Sequence, residues 1–322
     1  MLAVALVSLN SSGFQAQTIV NASQHVVLQG LRTNAGHGSF NAAAYGPDGS
    51  LYLLFDQGDG IRILKSDAQG MNVLAQSQAG AAGDSGVAMS LDAAGNVYVT
   101  GTTSSGMLTG STGAAFFKVA DSSVNSFMAK YDANLNPIFL TFLGSGRTVA
   151  ASVAATADAV FVTGITFNNS FPVTAAGVQQ APAHGSNENG FVEKISADGS
   201  ALEYATYLSG FGGDTIPAVI VADASDNAYV TGSTSASGFP TINALQSEIL
   251  LANGTTNSGF LAKLNPAGSA FAFSTFIAGA GSAGCDDGFS AAERECRAGA
   301  VHCCDGCDAA DFGHVSESFA HH

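Results

Sequence analysis

The chain has 322 residues, 46% hydrophobic but only 11% charged, with 39 Gly and no Trp. That is enough for one large or two ordinary domains, and it suits many short strands joined by tight turns rather than a helical bundle. The formal net charge of −15, with only 10 Lys and Arg, argues against a phosphate-backbone partner, so no nucleic acid is expected.

Residues 1–17, "MLAVALVSLNSSGFQAQ", hold an apolar run from Leu2 to Leu9 and an Ala16 placed near where a cleavage site would be, without a basic leading region. The segment reads either as a weak export signal or as an N-terminal strand. No run reaches the roughly 18 apolar residues of a spanning helix, so no membrane span is expected.

Strand-length apolar stretches follow in sets of four. The first set is "FNAAAYG", "LYLLFDQ", "GIRILKSD" and "VLAQSQA", between residues 40 and 79. Two markers then recur in step. "VTGTTSSG", "VTGITFNNSFP" and "VTGSTSASGFP" start at Val99, Val162 and Val230, and "NSFMAKYD", "NGFVEKIS" and "SGFLAKLN" start at Asn125, Asn189 and Ser258, a period of 63 to 69 residues. The last full copy reads as strands at 217–222, 228–234, 259–265 and 271–277. Four strands per repeated unit is the pattern of a β-propeller blade. The fold expected is all-β: a propeller of about four blades, near 38–80, 84–145, 148–211 and 214–281, within a domain spanning 18–282 and forming either a small ring or an incomplete one. Residues 18–30 are a candidate outer strand to close the ring with the last blade.

"PDGS", "DAAGN", "TADA" and "DASDN" join first strands to second, and "ANLNP", "ADGSA" and "PAGSA" join third to fourth. Asp, Asn and Gly fold such hairpins because they accept left-handed backbone and Asx turns. The second-to-third connections, 104–125, 167–189 and 235–258, are long, and in a propeller they share one face. Long loops on a rigid frame are where binding concentrates.

"DAAGNVYVTGTTSS", "DASDNAYVTGSTSASGFP" and "SGFLAKLNPAGSAFAFSTFIAG" together resemble the SBBP family, bacterial β-propeller repeats of exported and cell-surface proteins. The resemblance covers 84–281 well and 38–80 loosely. It implies a propeller that is secreted or held in the cell envelope; it does not imply a catalytic activity.

Candidate chemistry is sparse. "GDSG" at 83–86 has the letters of a serine-protease loop but sits where "GGDT" (212–215) sits in a later copy, so it reads as a blade-entry turn. His25, His37 and His184 stand in no nucleophile pattern. "FDQGDG" (55–60) offers calcium-like Asp and Gly but lacks the alternating oxygen ligands, and a tight hairpin is the simpler reading. Lys130, Lys194 and Lys263 recur at one position and read as strand-end lysines with ammonium groups in water. Phe127, Phe191, Phe260, Tyr98, Phe161 and Tyr229 read as packing core. The long-loop face carries Lys118, Asp121, His184, Glu188 and Glu248 as candidate ligand-binding residues, a thin supply for catalysis. A binding or scaffold module for carbohydrate or protein at the cell surface is therefore preferred, with no catalytic residues and no cofactor. The alternative is a polysaccharide lyase or glycoside hydrolase.

Residues 283–322 resemble none of the repeats and hold all five Cys and four of the seven His. His302, Cys303, Cys304 and Cys307 are close enough to share zinc, though without paired Cys-x-x-Cys spacing. Disulfides are a second reading, with one Cys left over. A third reading takes the tail as a frameshifted fifth blade. In a GC-rich gene with C common in third codon positions, moving one base on turns Cys into Ala, Asp and His into Thr, and Phe into Ser, and Val before Ser can become Phe. "HCCDGCDAADFGHVS" then becomes Thr-Ala-Ala-Thr-Gly-Ala-Thr, two undetermined residues, and Thr-Ser-Ala-Thr-Phe, close to "VTGSTSASGFP".

Overall fold

A computed structural model describes residues 39–104, 108, 125–144, 146–167, 169, 171–183, 188–249 and 257–277, together with the backbone of four short strands between residues 7 and 26. Those four are β1 (Val7–Asn10), β2 (Gly13–Ala16), β3 (Ile19–Asn21) and β4 (Gln24–Val26); β1 pairs with β2 and β3 with β4. Within 18–30 the chain thus pairs with itself, Ile19 opposite Val26, instead of adding a strand to the last blade. A neighbour a few residues away costs far less chain entropy to reach than an edge about 250 positions on.

Four antiparallel four-stranded sheets follow. Blade 1 is β5 (Ser39–Tyr45), β6 (Leu51–Gln57), β7 (Gly60–Ser66) and β8 (Val73–Ala79). Blade 2 is β9 (Ser85–Leu91), β10 (Val97–Thr103), β11 (Asn125–Tyr131) and β12 (Pro137–Leu143). Blade 3 is β13 (Thr148–Ala155), β14 (Ala159–Thr166), β15 (Asn189–Ser196) and β16 (Leu202–Leu208). Blade 4 is β17 (Thr215–Ala222), β18 (Ala228–Thr234), β19 (Ser258–Leu264) and β20 (Phe271–Ile277). Each sheet runs in chain order, and β5, β9, β13 and β17 meet in succession. The sheets do not close into a ring, and no helix occurs among the described residues.

The repeated Val-Thr-Gly has a separate physical reason at each letter. Val99, Val162 and Val230 are buried in the cores. The Thr hydroxyls donate across the ladder, Thr100 to the Phe127 carbonyl at 2.7 Å, Thr163 to Phe191 at 2.7 Å and Thr231 to Phe260 at 2.8 Å. The glycines face a β-bulge in the first strand. A Cβ on Gly101, Gly164 or Gly232 would stand 2.0, 2.1 and 2.2 Å from the carbonyl oxygens of Ser85, Val149 and Ile216. Only glycine fits that approach.

The turn residues are equally specific. Asp92 accepts from the N–H groups of Ala94 and Asn96, from Asn96 Nδ2 and from the Tyr98 hydroxyl; Asp223 repeats the set with Ser225, Asn227 and Tyr229. These are Asx turns extended onto the next strand's aromatic ring.

Three hydrophobic cores lie between blades. One joins Tyr52, Leu54, Ile61 and Ile63 of blade 1 to Val99, Phe127 and Leu135 of blade 2. The second joins Tyr98, Met128 and Phe139 to Val160, Phe191 and Tyr207, and the third joins Phe161, Val192 and Tyr204 to Val230, Phe260 and Leu264. Inner strands add hydrogen bonds: Asn41 Nδ2 donates to the Gly86 carbonyl, the Ala155 N–H to Ser90 Oγ, and the Ile220 N–H to Ser152 Oγ.

Candidate functional site

The charged side chains of the frame are arranged by the same repeat. The third strand of each blade carries a lysine opposite an aromatic residue of the second: Tyr52 with Lys65, Tyr98 with Lys130, Phe161 with Lys194, Tyr229 with Lys263. Each ammonium lies over its ring, at 5.2, 5.0, 5.5 and 4.6 Å from the centroids, a cation–π geometry. Three of them then reach the following blade. Lys65 donates to the Ala133 carbonyl at 3.0 Å, Lys130 to the Ala197 carbonyl at 2.8 Å, and Lys194 to Pro266 at 3.4 Å and to the Asp226 carboxylate at 3.0 Å. The expectation that these ammonium groups sit in water is corrected for Lys130 and Lys194. The carbonyl acceptors belong to another blade's third-to-fourth turn, and Asp226 to its first-to-second turn, so the pairing was not visible within one repeat. Lys65, which the sequence reading passed over, occupies the same place in "GIRILKSD".

These ties set the protonation of their members. Hydrogen bonding from Lys65 lowers the Asp48 carboxyl to about 2. Burial pulls Lys194 down, but Asp226 and Glu203 outweigh it and leave the ammonium raised above its ordinary value. Lys130, with no carboxylate in hydrogen-bond contact, is lowered by burial.

Glu193 is the odd member. It occupies the place of Ala129 and Ala262 in the other copies, opposite Val162 and Ala205, and is completely buried. Its Oε1 accepts the Gly144 N–H of the preceding blade at 3.1 Å, and its Oε2 has no hydrogen-bond partner among the described residues. Burial pushes its carboxyl up to about 8.

The long connections do not run free. Phe171 and Phe239, the Phe of "SFP" and "GFP", are buried against Phe191 with Tyr207 and against Phe260 with Phe276. Beyond them the chain pairs along its own blade's outer strand. The Thr174 N–H bonds the Ala205 carbonyl and the Tyr207 N–H bonds Gln179, while Ile242 and Ser274 exchange two bonds and the Phe276 N–H bonds Gln246. The connections thus cover the edges of β16 and β20, which would otherwise be templates for stray pairing.

Of the candidate ligand-binding residues, Lys118, Asp121 and His184 lie outside the described residues, as do His302, Cys303, Cys304 and Cys307 of the zinc reading. Glu188 sits at the start of β15, where its N–H donates to Asp214 Oδ1 and its carbonyl accepts the Thr215 N–H. Glu248 is exposed, and its carbonyl accepts from Gln246 Nε2. In the calcium reading's segment, Asp56 accepts from Ser85 Oγ and the Gly86 N–H, and Asp59 pairs with Arg62 at 2.8 Å. The segment is a hairpin, with Gln57 opposite Gly60, that ties blade 1 to blade 2. "GDSG" is a blade-entry turn: Asp84 accepts from the Ala81 N–H, the Thr103 hydroxyl and the Ser104 N–H. Among the described residues no three His, Cys, Asp or Glu side chains gather to hold a metal, and no helix is long and apolar enough to cross a membrane.

Two solved structures are similar at low identity. One is a functionally unknown protein from Desulfotomaculum acetoxidans DSM 771, at 11% identity and TM-score 0.34, covering 80% of this chain and 74% of that one. The other is the Dos1 propeller, at 10% identity and TM-score 0.29, covering 83% and 75%. No curated protein matches. Residues 203–240, from β16 through the second-strand marker, match the SBBP family model, described as a beta-propeller repeat. Among the described residues the four-stranded propeller blades form an open arc, and residues 203–240 match the beta-propeller repeat of the SBBP family.

Proposed function

We propose that this propeller is an exported or cell-surface binding or scaffold module for carbohydrate or protein, acting through the face of its long connections. The observation that carries the reading is a set of large apolar side chains held out to solvent by paired backbone. Phe211 is 64% exposed yet bridged to Gly238, Ile242 is exposed yet bridged to Ser274, and Leu245 beside it is 98% exposed. Exposed aromatic and aliphatic groups on a fixed backbone lose little entropy on binding and suit sugar rings or an apolar protein surface. Glu188 and Glu248 flank the same connections and would supply polar contacts. Among the ionisable groups with displaced protonation, Asp48, Lys65, Glu193, Lys194 and Asp223 serve turns and blade joints.

The test is a glycan array and an envelope-protein pull-down with the full chain, beside Phe211→Asp and Leu245→Asp. Retention that falls in both variants supports the reading. Retention equal to the parent's removes it, and new reducing or unsaturated sugar ends would replace it with the hydrolase or lyase alternative.

A further inference from the structure

The face that blade 4 turns away from blade 3 is built like a joint. On blades 2 and 3 the residues facing the following blade are closed: Tyr98, Met128 and Phe139, then Phe161, Val192 and Tyr204, are all buried. Their counterparts on blade 4, Tyr229, Leu261 and Phe273, are only half-buried. Among the described residues Lys263 likewise reaches only its own blade, over Tyr229 and 3.6 Å from Asp223, with a side chain 22% exposed against 8% for Lys194.

The partner that completes such a face can be read from the three joints already made. Each following blade brings the carbonyl of the first residue of its "ANLNP", "ADGSA" or "PAGSA" turn, Ala133, Ala197 or Pro266, to the lysine. Two residues on, it brings a left-handed position, Leu135 at φ 64°, Gly199 at 73° or Gly268 at 66°. That position is matched to the residue opposite the lysine on the fourth strand. Gly199 lies on Phe139 and Gly268 on Tyr204, whereas Leu135 shares a core with the small Ala75. Blade 4 presents Phe273 there, so the fitting turn carries glycine.

We propose that this face is the docking surface for one further blade of the same repeat, which seats a turn carbonyl on Lys263 and a left-handed glycine on Phe273. Continuity with the three existing joints argues for it. The sequence also runs past Ile277 through Gly279 and Gly281, as the other links run through Gly144 and Gly146 or Gly210 and Gly212. A second copy's first blade fits less well, because Leu51, Leu53, Phe55 and Leu64 on its outward face are already buried.

The test measures amine-labelling rates of individual lysines in the folded full-length chain, and again after residues 209–277 are duplicated behind Ile277. In the parent, Lys263 is expected to label faster than Lys194. With the added blade Lys263 should slow to the rate of Lys194. Gly268→Leu in the added copy should restore fast labelling, and Phe273→Ala in the original blade should then make room for the leucine and slow it again. Equal rates for Lys263 and Lys194 in the parent would mean that another element, a second copy or residues 278–322, holds the face, and would overturn the proposal. So would an added blade that leaves Lys263 fast, or protection indifferent to the leucine. If the longer chain does not fold, the parent comparison decides.

Discussion

Gly199 of blade 3 lies directly on the ring of Phe139 of blade 2, so close that a Cβ in its place would stand 2.5 Å from ring carbons. Its backbone is also left-handed, at φ 73°. Gly199→Ala is therefore expected to destabilise twice over, by left-handed strain of about 1 kcal/mol and by overpacking of about 1–3 kcal/mol. Gly49→Ala, at φ 79° with nothing within 4 Å, should cost only the first. Urea unfolding of both variants measures the difference, and equal losses would refute the ring contact.

The hydroxyl of the Val-Thr-Gly marker is a second test. Thr163 is fully buried and donates to Phe191, while Thr231 makes the same bond on the half-open blade 4. Thr163→Val should cost about 1–2 kcal/mol, because the lost bond lies in a buried site. Thr231→Val should cost less. A reversed order in denaturation midpoints would contradict this assignment of the joint.

Glu193 should make stability fall with rising pH. Its carboxyl is raised from 4.5 to about 8 in the fold, so the folded state holds a proton that the unfolded chain releases. Its stabilising share is complete below pH 4.5, declines by about 1.4 kcal/mol per pH unit up to about pH 8, and is flat above, a total of order 5 kcal/mol. Glu193→Gln should remove that slope and be the more stable protein at pH 8. Urea midpoints at pH 5 and pH 8 for both proteins test it; parallel pH profiles would mean that the carboxyl is not held protonated.

Phe239 anchors the long connection of blade 4 between Phe260 and Phe276. Phe239→Ala is expected to cost about 3–5 kcal/mol, as buried aromatic truncations do. It should also open residues 235–249 to limited proteolysis before the rest of blade 4 unfolds. Cleavage elsewhere first would show that the ring does not hold the connection.

Much of the frame was legible because each repeat states it locally. The four strands, the Asx turns and the tight hairpin at 57–60 follow from residues a few positions apart. What could not be read was whatever depends on the next blade. Lys130 looked like a surface lysine because its acceptor, Ala197, lies 67 positions on. Leu135 sits where later copies have glycine, and nothing in its own repeat explains that until Ala75 is placed beneath it. The plugging roles of Phe171 and Phe239 were hidden in segments that resembled free loops. Glu193 did leave a signal, the one "VEK" where the other copies read "MAK" and "LAK", but only its burial shows what the acid meets there. Tyr229, expected in the core with Tyr98 and Phe161, is half-buried because no described sheet packs against that side of blade 4.

Because three of the apolar cores lie between sheets, blades 2, 3 and 4 rely on a neighbour for their buried side chains, and among the described residues blade 1 alone has a buried cluster of its own, Leu51, Leu53, Phe55 and Leu64. During synthesis, when residues emerge in order, each sheet must wait for 63 to 69 more before its forward side is covered. The arc should then grow as a nearest-neighbour assembly, with a sticky leading edge that moves along the nascent chain and amide protection greatest at the middle joint, between β9–β12 and β13–β16.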